Sequence, residues 1–283
     1  CRKNFYPLKR SKQFYIQTGH GGIPLKKVEK DAEEKLSAYY VTLAKQDSKM
    51  ADLMISNSTF KTNLLQKSFW YNGEVLECGC PKIEILMKDN REIKKKVYKI
   101  FNLNYKYKTV LYAPTFRSNG LIDEYGLDYK RLIKSAQEKF GGQWVILVRL
   151  HPNIAEQYNY ITYNNNVLNA TKYPDMQELM ISSDILITDY SGIMFEYIHT
   201  KKPVFLFASD IEKYKNERGY YFDIRKLPFA LAEDNQELTE NIMKYNKEVY
   251  QQQVDEFISV LGIINGYGAA QCLVKRIKNI IEN

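Results

Sequence analysis

The sequence predicts an α/β chain with two parallel sheets, each in a Rossmann-like domain. Short apolar runs alternate with helical patterns, which is typical of parallel α/β sheets. The runs are apolar on both sides, as in strands whose sheet is covered by helices on both faces. The series appears twice, with a break near residues 82–108. We therefore expect an N-terminal domain over residues 1–100, incomplete at its N-terminus, and a C-terminal domain over residues 101–283.

The first series predicts three strands and two helices. Apolar runs indicate strands at residues 14–17, 52–55 and 74–77. The segment 30–45 has a helical pattern, with Leu36, Tyr39, Tyr40 and Leu43 on the stripe expected to be buried. Ser58 is a suitable N-cap for the helix that follows the second strand.

The second series follows a basic helix expected over residues 90–101. It predicts strands at residues 109–113, 144–148, 184–187 and 203–206, and helices at 129–140, 176–181 and 192–199. Two or three further helices are expected between residues 235 and 281. Ligands of open α/β sheets bind beyond the carboxyl ends of the strands, so the residues after each strand are the candidates for function.

Composition excludes several protein classes. The 283 residues are 45% hydrophobic and 26% charged, which indicates a globular chain rather than a disordered one. Four cysteines are too few for a disulfide scaffold and favour a reducing compartment, and the Cys78-Gly79-Cys80 spacing is too tight for a common zinc site. No run of 18 apolar residues predicts a transmembrane helix. Without an initiator methionine, the chain is expected to be part of a longer one.

The positive charge is concentrated in two segments. The net charge is +8, and residues 1–31 and 82–108 each carry a net +6. Such focused charge predicts an anionic partner: phosphate groups, nucleic acid or an acidic membrane surface. The alternative for residues 88–99 is a solvated helix face.

Histidines follow two of the predicted strands. His20 lies between Gly19 and Gly21, where the backbone can approach a ligand closely and an imidazole can accept a proton near neutral pH. His151 follows the strand at 144–148, next to Arg149 and before a proline. His199 lies late in a helical stretch, where a helix end or a solvated face explains it.

Phosphate-binding features follow other strands. Arg117, after the strand at 109–113, is suited to a bidentate contact with phosphate, and so is Arg149. Ser191 is expected to cap a helix that begins at Gly192 and offers free N–H groups to a phosphate. The chain has neither a metalloprotease HExxH motif nor a Walker loop, and Asp189 and Asp31 are its only candidate acids. These residues predict a site for a phosphate-bearing substrate.

The strand-end residues carry a family resemblance. The loop His20-Gly21-Gly22-Ile23-Pro24-Leu25-Lys26-Lys27 resembles the first motif of the CDP-glycerol glycerophosphotransferases, the bacterial enzymes of teichoic-acid and capsule polymers. Further matching blocks are, in order, Tyr112-Ala113-Pro114-Thr115-Phe116-Arg117, Arg149-Leu150-His151-Pro152, Thr188-Asp189-Tyr190-Ser191 and Tyr214…Arg218-Gly219-Tyr220. Gly19 stands where members often have tryptophan, and Gly192 where many have a second serine.

The resemblance implies a GT-B architecture, with two Rossmann-like domains facing across a cleft. It implies transfer of glycerol phosphate or ribitol phosphate from CDP-glycerol or CDP-ribitol to a hydroxyl of a lipid-linked phosphopolyol or saccharide, with release of CMP. No obligatory cofactor, no metal and no nucleic-acid partner are expected. The expected location is the cytoplasm, peripheral on the inner face of the membrane.

The same resemblance makes His20 and His151 the essential pair. His20 is expected to act as the general base on the acceptor hydroxyl. The residues expected to hold the donor phosphates and CMP, together with His151, are Thr115, Arg117, Arg149, Asp189, Ser191 and Gly192. Lys26 and Lys27 are candidates for acceptor or phosphate contacts, and Lys94, Lys95, Lys96 and Lys99 for contact with anionic lipid.

Two other functions remain open from the sequence, and a third, nucleic-acid binding, has the charge but no stacking motif of an RNA-binding module. A GT-B glycosyltransferase that uses a nucleotide sugar would share the fold and the diphosphate site. A non-catalytic module that binds an anionic polymer or a membrane would share the charge. Assays with CDP-polyols and with nucleotide sugars would identify a glycosyltransferase. CMP binding without turnover would favour a binding module.

Overall fold

The computed structural model describes residues 9–19, 21–88, 90–115, 126–151, 161–211, 219–264 and 266–282. All the strands in these residues lie in two parallel sheets. The strands are β1 (Ile16–Gln17), β2 (Leu53–Ser56), β3 (Glu74–Glu77), β4 (Tyr107–Ala113), β5 (Gln143–Val148), β6 (Val167–Asn169), β7 (Ile185–Thr188), β8 (Val204–Phe207) and β9 (Ala230–Ala232). The α-helices are α1 (Ala38–Met50), α2 (Thr59–Ser68), α3 (Pro81–Glu84), α4 (Arg91–Ile100), α5 (Tyr129–Phe140), α6 (Met176–Ser182), α7 (Ile193–Tyr197), α8 (Asn235–Lys244), α9 (Lys247–Val260) and α10 (Ala269–Glu282). The prediction of parallel α/β structure is confirmed.

The larger sheet has the strand order β6-β5-β4-β7-β8-β9. Counted from β4, this is the order 3-2-1-4-5-6 of a doubly wound nucleotide-binding sheet. The order reverses between β4 and β7, so the crevice for a ligand opens beyond the carboxyl ends of these two strands. The consecutive residues Val110 and Leu111 of β4 belong to two different clusters of buried side chains, so helices cover both faces of the sheet.

The smaller sheet has the order β1-β2-β3. The middle strand, β2, is buried along its whole length, whereas both glutamates that bound β3 are exposed. Thus β3 is not apolar on both sides as predicted, because it is an edge strand of this sheet. Ser58 caps α2 as predicted, since its hydroxyl accepts the N–H of Lys61 at 3.0 Å.

The helix predicted over residues 30–45 is divided in two. A short 3-10 helix (Glu29–Lys35) ends before Ser37, whose hydroxyl accepts the N–H of Tyr40 at 3.2 Å and caps α1. This break changes the phase of the helix, so α1 buries Val41 and Ala44 while Tyr39 is 66% exposed. The predicted buried stripe is therefore wrong. Strands β6 and β9, three residues each, are not predicted from the sequence.

The two sheets are joined through the end of the chain. The N–H of Thr59, at the start of α2, donates to the carbonyl of Gly262 at 3.1 Å. Beyond this contact α10 packs on the smaller sheet, where Arg276 pairs with Glu74 of β3 at 2.6 Å. Residues 266–282 thus contact the first sheet although they follow the second in sequence. The division of the chain at residue 100 stays a proposal. The last helix follows residue 100 in sequence but packs against the sheet formed by residues before it.

Candidate active site

The loop after β1 pairs with a distant segment. Lys26 forms an antiparallel bridge with Tyr220. The N–H of Lys27 donates to the carbonyl of Gly219 at 3.1 Å, and the N–H of Tyr221 donates to the carbonyl of Leu25 at 2.9 Å. The first and last blocks of the family resemblance therefore lie side by side. His20, Tyr214 and Arg218, which belong to these blocks, lie outside the described residues.

The glycines after position 20 lie against α7. A Cβ built at Gly21 would collide with the carboxylate of Glu196. Gly21 has a φ of +124°, a backbone conformation that favours glycine. A Cβ at Gly192 would lie 3.2 Å from the carbonyl oxygen of Ile23. The glycine loop of the smaller sheet and the helix start of the larger sheet are thus in contact.

Three charged groups under this loop were missed by the sequence analysis. Lys61 of α2 is 7% exposed, and its Nζ donates to the carbonyl of Gly21 at 2.5 Å. Glu196 of α7 is 5% exposed and accepts from Lys82 and from Gln177, both at 3.1 Å. Burial lowers the pKa of Lys61, while Cys80 and Glu196 oppose that shift. Nothing local in the sequence marks these side chains, because Lys61 meets Gly21 across 40 positions of the chain, while Glu196 meets Lys82 and Gly21 only through contact between the two sheets.

His151 lies at the carboxyl end of β5, as predicted. Its side chain reaches solvent, yet neighbouring protein atoms displace part of its water. This desolvation, together with the positive charge of Lys26, lowers the pKa of His151 below its usual value. Lys26 of the first motif and His151 of the third therefore act on each other electrostatically, and the neutral imidazole is favoured at pH 7.

Arg149 lies beside His151 but faces backbone. Its Nη1 donates to the carbonyl of Ala170 at 3.1 Å and also to that of Tyr173. Burial lowers the pKa of its guanidinium. These contacts hold the end of β5 to the segment after β6, so direct contact between Arg149 and a phosphate stays a prediction.

Thr115 and Asp189 join the ends of β4 and β7. The N–H of Thr115 donates to both carboxylate oxygens of Asp189, at 2.9 and 3.0 Å, and its hydroxyl also donates to Asp189. Asp189 is 1% exposed and accepts the N–H of Tyr190 at 2.6 Å as well. The carboxylate therefore fixes the two strand ends that border the crevice. Arg117 lies outside the described residues.

The helix after β7 begins one residue later than predicted. Its N-cap is Gly192, and Ser191 accepts the N–H of Ile193 through its hydroxyl at 3.4 Å. Ser191 and Gly192 are partly exposed at the crevice between β4 and β7. Of the two explanations for His199, the helix end is confirmed and the solvated face is wrong: the residue is 6% exposed, in a short 3-10 helix (Ile198–Thr200) that follows α7, and with Ile198 it lines a small cavity beside α9.

The chain matches known proteins over most of its length. Residues 2–278 match the family model of the CDP-glycerol:poly(glycerophosphate) glycerophosphotransferases. The chain is 31% identical, over 91% of its length, to the teichoic acid poly(glycerol phosphate) polymerase of Staphylococcus epidermidis, and spans 37% of that protein. It is 28% identical, over 65% of its length, to the teichoic acid poly(ribitol-phosphate) polymerase of Bacillus spizizenii, and spans 30% of it.

A solved structure has the same fold. A histidine variant of the wall teichoic acid polymerase TagF, soaked with CDPG, superposes with a TM-score of 0.84 at 30% identity and covers all of this chain and 71% of that one. The family match spans both sheets and the described parts of every motif quoted from the sequence. The chain belongs to the CDP-glycerol:poly(glycerophosphate) glycerophosphotransferase family.

Proposed function

We propose that this chain transfers a glycerol phosphate unit from CDP-glycerol to a hydroxyl of a teichoic-acid-like or capsular polymer and releases CMP. The family match and the polymerase relatives support this reaction, and the CDPG soak of the TagF variant supports the donor. The relative that polymerises ribitol phosphate keeps CDP-ribitol as the second donor to be tested. The observation that carries the proposal is the contact between the glycine loop after β1 and the start of α7 at the crevice.

In the proposed reaction the acceptor hydroxyl attacks the phosphorus that bears the polyol. His20 accepts the hydroxyl proton as general base. The bond from that phosphorus to the CMP oxygen breaks, and CMP leaves. The protein mainly orients the reactants and stabilises the developing negative charge, as in other phosphoryl transfers.

The donor phosphates are proposed to lie in the crevice between β4 and β7. Ser191 and Gly192 supply N–H groups there, and His151, Lys26, Lys27 and Arg117 supply donors and positive charge. The joint between Thr115 and Asp189 supports this assignment because it fixes the strand ends on either side. We propose that Arg149 contributes a nearby positive charge rather than a direct bond to a phosphate, because its Nη1 already donates to two carbonyls.

The proposed architecture is a GT-B pair of domains, 1–100 and 101–283, with the cleft between the two sheets. The proposed acceptor is a lipid-linked phosphopolyol or saccharide that the enzyme meets as a peripheral protein at the inner face of the membrane. Among the described residues, no helix is long and apolar enough to cross a bilayer. Lys95, Lys96 and Lys99 of α4 are exposed, and Lys96 is paired with Glu178, so Lys95 and Lys99 are proposed to contact anionic lipid.

The deciding experiment measures CMP release from CDP-glycerol and, separately, from CDP-ribitol, with and without a phosphopolyol acceptor. We expect acceptor-dependent release from one of the two, and none from a nucleotide sugar. We expect turnover to persist in EDTA, because side chains and helix N–H groups supply the positive charge. Release from a nucleotide sugar alone would establish a glycosyltransferase instead. CMP binding without turnover of any donor would indicate a binding module.

A further inference from the structure

Two buried charged side chains from different sheets contact the backbone next to position 20. Lys61, from α2 beside the smaller sheet, lies with its Nζ 2.5 Å from the carbonyl oxygen of Gly21. The same Nζ would lie 3.6 Å from a Cβ built at Gly19. Glu196, from α7 beside the larger sheet, packs against the Cα of Gly21 so closely that a Cβ there would collide with it. Lys61 thus lies close to the backbone on both sides of position 20.

Burying these charges is unfavourable for folding. An ammonium or a carboxylate loses its water when it is buried, and replacing buried charges by apolar groups is often neutral or stabilising. Both Lys61 and Glu196 are nevertheless more than nine-tenths buried. The contacts of Glu196 with Lys82 and Gln177 aim its carboxylate toward the glycine loop. A role in placing that loop accounts for the arrangement better than stability does.

The helix α7 connects this loop to the proposed donor site. It starts directly after Gly192, and Glu196 lies one turn further along. The start of the helix also touches the loop, through the approach of Gly192 to the carbonyl of Ile23. A shift of α7 would therefore move the donor phosphates and the loop backbone together.

We propose that Lys61 and Glu196 are positioning residues that hold the backbone of Gly19 and Gly21 at a fixed place relative to the start of α7. Through this pair the proton-accepting loop and the donor site keep one geometry, although they belong to different sheets. The inference rests on the proposed function for its effect on turnover. This restraint of the glycine loop by Lys61 and Glu196, called the clamp below, does not depend on the reaction and is measured separately.

The test compares the wild-type chain with Lys61→Met, Glu196→Gln and the double variant. The matched control is Lys45→Met, since Lys45 of α1 forms an exposed ion pair with Glu33 at 2.8 Å, outside the glycine loop. Hydrogen exchange is followed by mass spectrometry in peptides covering residues 18–27 and, as an internal reference, β7. Calorimetry gives CMP affinity, and the CMP-release assay gives kcat and the KM for CDP-glycerol. Glu196→Gln keeps the size of the side chain, so it tests the clamp even if Lys61→Met unfolds.

We expect each single variant to raise exchange in the 18–27 peptides at least tenfold and to leave β7 unchanged. We expect kcat to fall at least tenfold, while the KM and the CMP affinity stay within twofold. The double variant should lose little more than either single variant, because both residues hold the same loop. Lys45→Met should match the wild type in every measurement.

Three results have distinct meanings. Unchanged exchange in the loop would overturn the clamp. Raised exchange with unchanged kcat in an active enzyme would overturn the positioning role. A wild-type chain that releases no CMP from either donor would overturn the proposed function, while the exchange data would still decide whether the clamp exists.

Discussion

His151 shows how one side chain depends on a residue that is distant in sequence. Lys26 lies in the loop after β1, whereas His151 follows β5 in the other sheet. The charge of Lys26 and partial desolvation both lower the pKa of the imidazole. Since a neutral histidine retains one N–H donor, His151 can donate to a phosphate oxygen at pH 7 without carrying a charge.

We expect His151 to titrate below the usual histidine value of ~6.5, and Lys26→Met to raise that midpoint. The neutral form is present at pH 7 and is lost as the pH falls through the lowered pKa. Two-dimensional NMR of the histidine Cε1–H signals checks this, with His151→Gln for assignment. Lys30→Met, which removes an exposed lysine of the neighbouring 3-10 helix, is the control. An equal midpoint in Lys26→Met and the wild type would contradict the argument.

The three histidines should respond differently to alanine substitution. We expect His20→Ala and His151→Ala each to lower turnover at least ~100-fold, the low end for a lost general acid or base. His199 is buried, so His199→Ala should lower the free energy of unfolding by ~0.5–3 kcal/mol while the folded fraction keeps its kcat. Chemical denaturation and CMP release on the same samples separate the two effects. A loss of kcat in His199→Ala equal to the others would refute the assignment.

At the scale of elements, the joint between β4 and β7 depends on one carboxylate. Asp189→Ala removes the acceptor for the N–H groups of Thr115 and Tyr190. Each unsatisfied buried group costs ~1–3 kcal/mol, so the free energy of unfolding should fall by at least ~2 kcal/mol. The control Asp128→Ala removes an exposed cap of α5 and should cost only ~1 kcal/mol. Equal losses in urea denaturation of the two variants would contradict the joint.

The lysines of α4 fall into two groups by what they contact. Lys94 pairs with Asp184 at 3.2 Å and Lys96 with Glu178 at 2.7 Å, so both hold α4 to the larger sheet. Lys95, Lys96 and Lys99 are all exposed, but Lys96 carries the ion pair with Glu178, whereas Lys95 pairs only with its helix neighbour Glu92 in the described structure. The expectation that all four contact lipid is therefore narrowed to Lys95 and Lys99.

Membrane binding should follow this division. Because each lysine near an anionic surface contributes ~1 kcal/mol, Lys95→Glu/Lys99→Glu should lower co-sedimentation with phosphatidylglycerol vesicles more than Lys94→Ala/Lys96→Ala does. The second variant should instead lower the melting temperature. Added salt should weaken binding, and phosphatidylcholine vesicles should bind neither protein. Equal binding to neutral and anionic vesicles would show that the charge has no part in it.

At the scale of the whole molecule, the contact of Gly262 with Thr59 joins the two sheets. Gly262 has a φ of +58°, and a Cβ there would lie 2.6 Å from the hydroxyl of Thr59 at the start of α2. Left-handed backbone costs an L-residue ~1–2 kcal/mol, so Gly262→Ala should destabilise the chain by at least that amount. Gly266→Ala is the control, because a Cβ at Gly266 meets no atom within 4 Å. Equal melting temperatures of the two variants would show that the close contact at Gly262 does not affect stability.

Local patterns identified most elements of the fold. The limits of β3 and α5 agree with the prediction, and the basic helix is one residue shorter at each end than predicted. The failures have physical causes. The buried face of α1 differs from the predicted one because Ser37 caps a new helix. Strands β6 and β9 were not predicted because three residues are too few to show a periodicity. The helix start after β7 moved because Gly192, not Ser191, takes the cap position.

The sequence by itself determined the parallel sheets and the family motifs after the strands, because alternation, capping and motif spacing are local properties of the chain. The tertiary structure decided which of these residues meet. Tyr220 lies beside Lys26, α10 returns to the first sheet, and Lys61 and Glu196 lie under one loop. These contacts join residues 40 or more positions apart. The bond of Lys61 to Gly21 forms within the half that holds the smaller sheet, and the other contacts form only when the two sheets pack together. No periodicity along the chain encodes that packing.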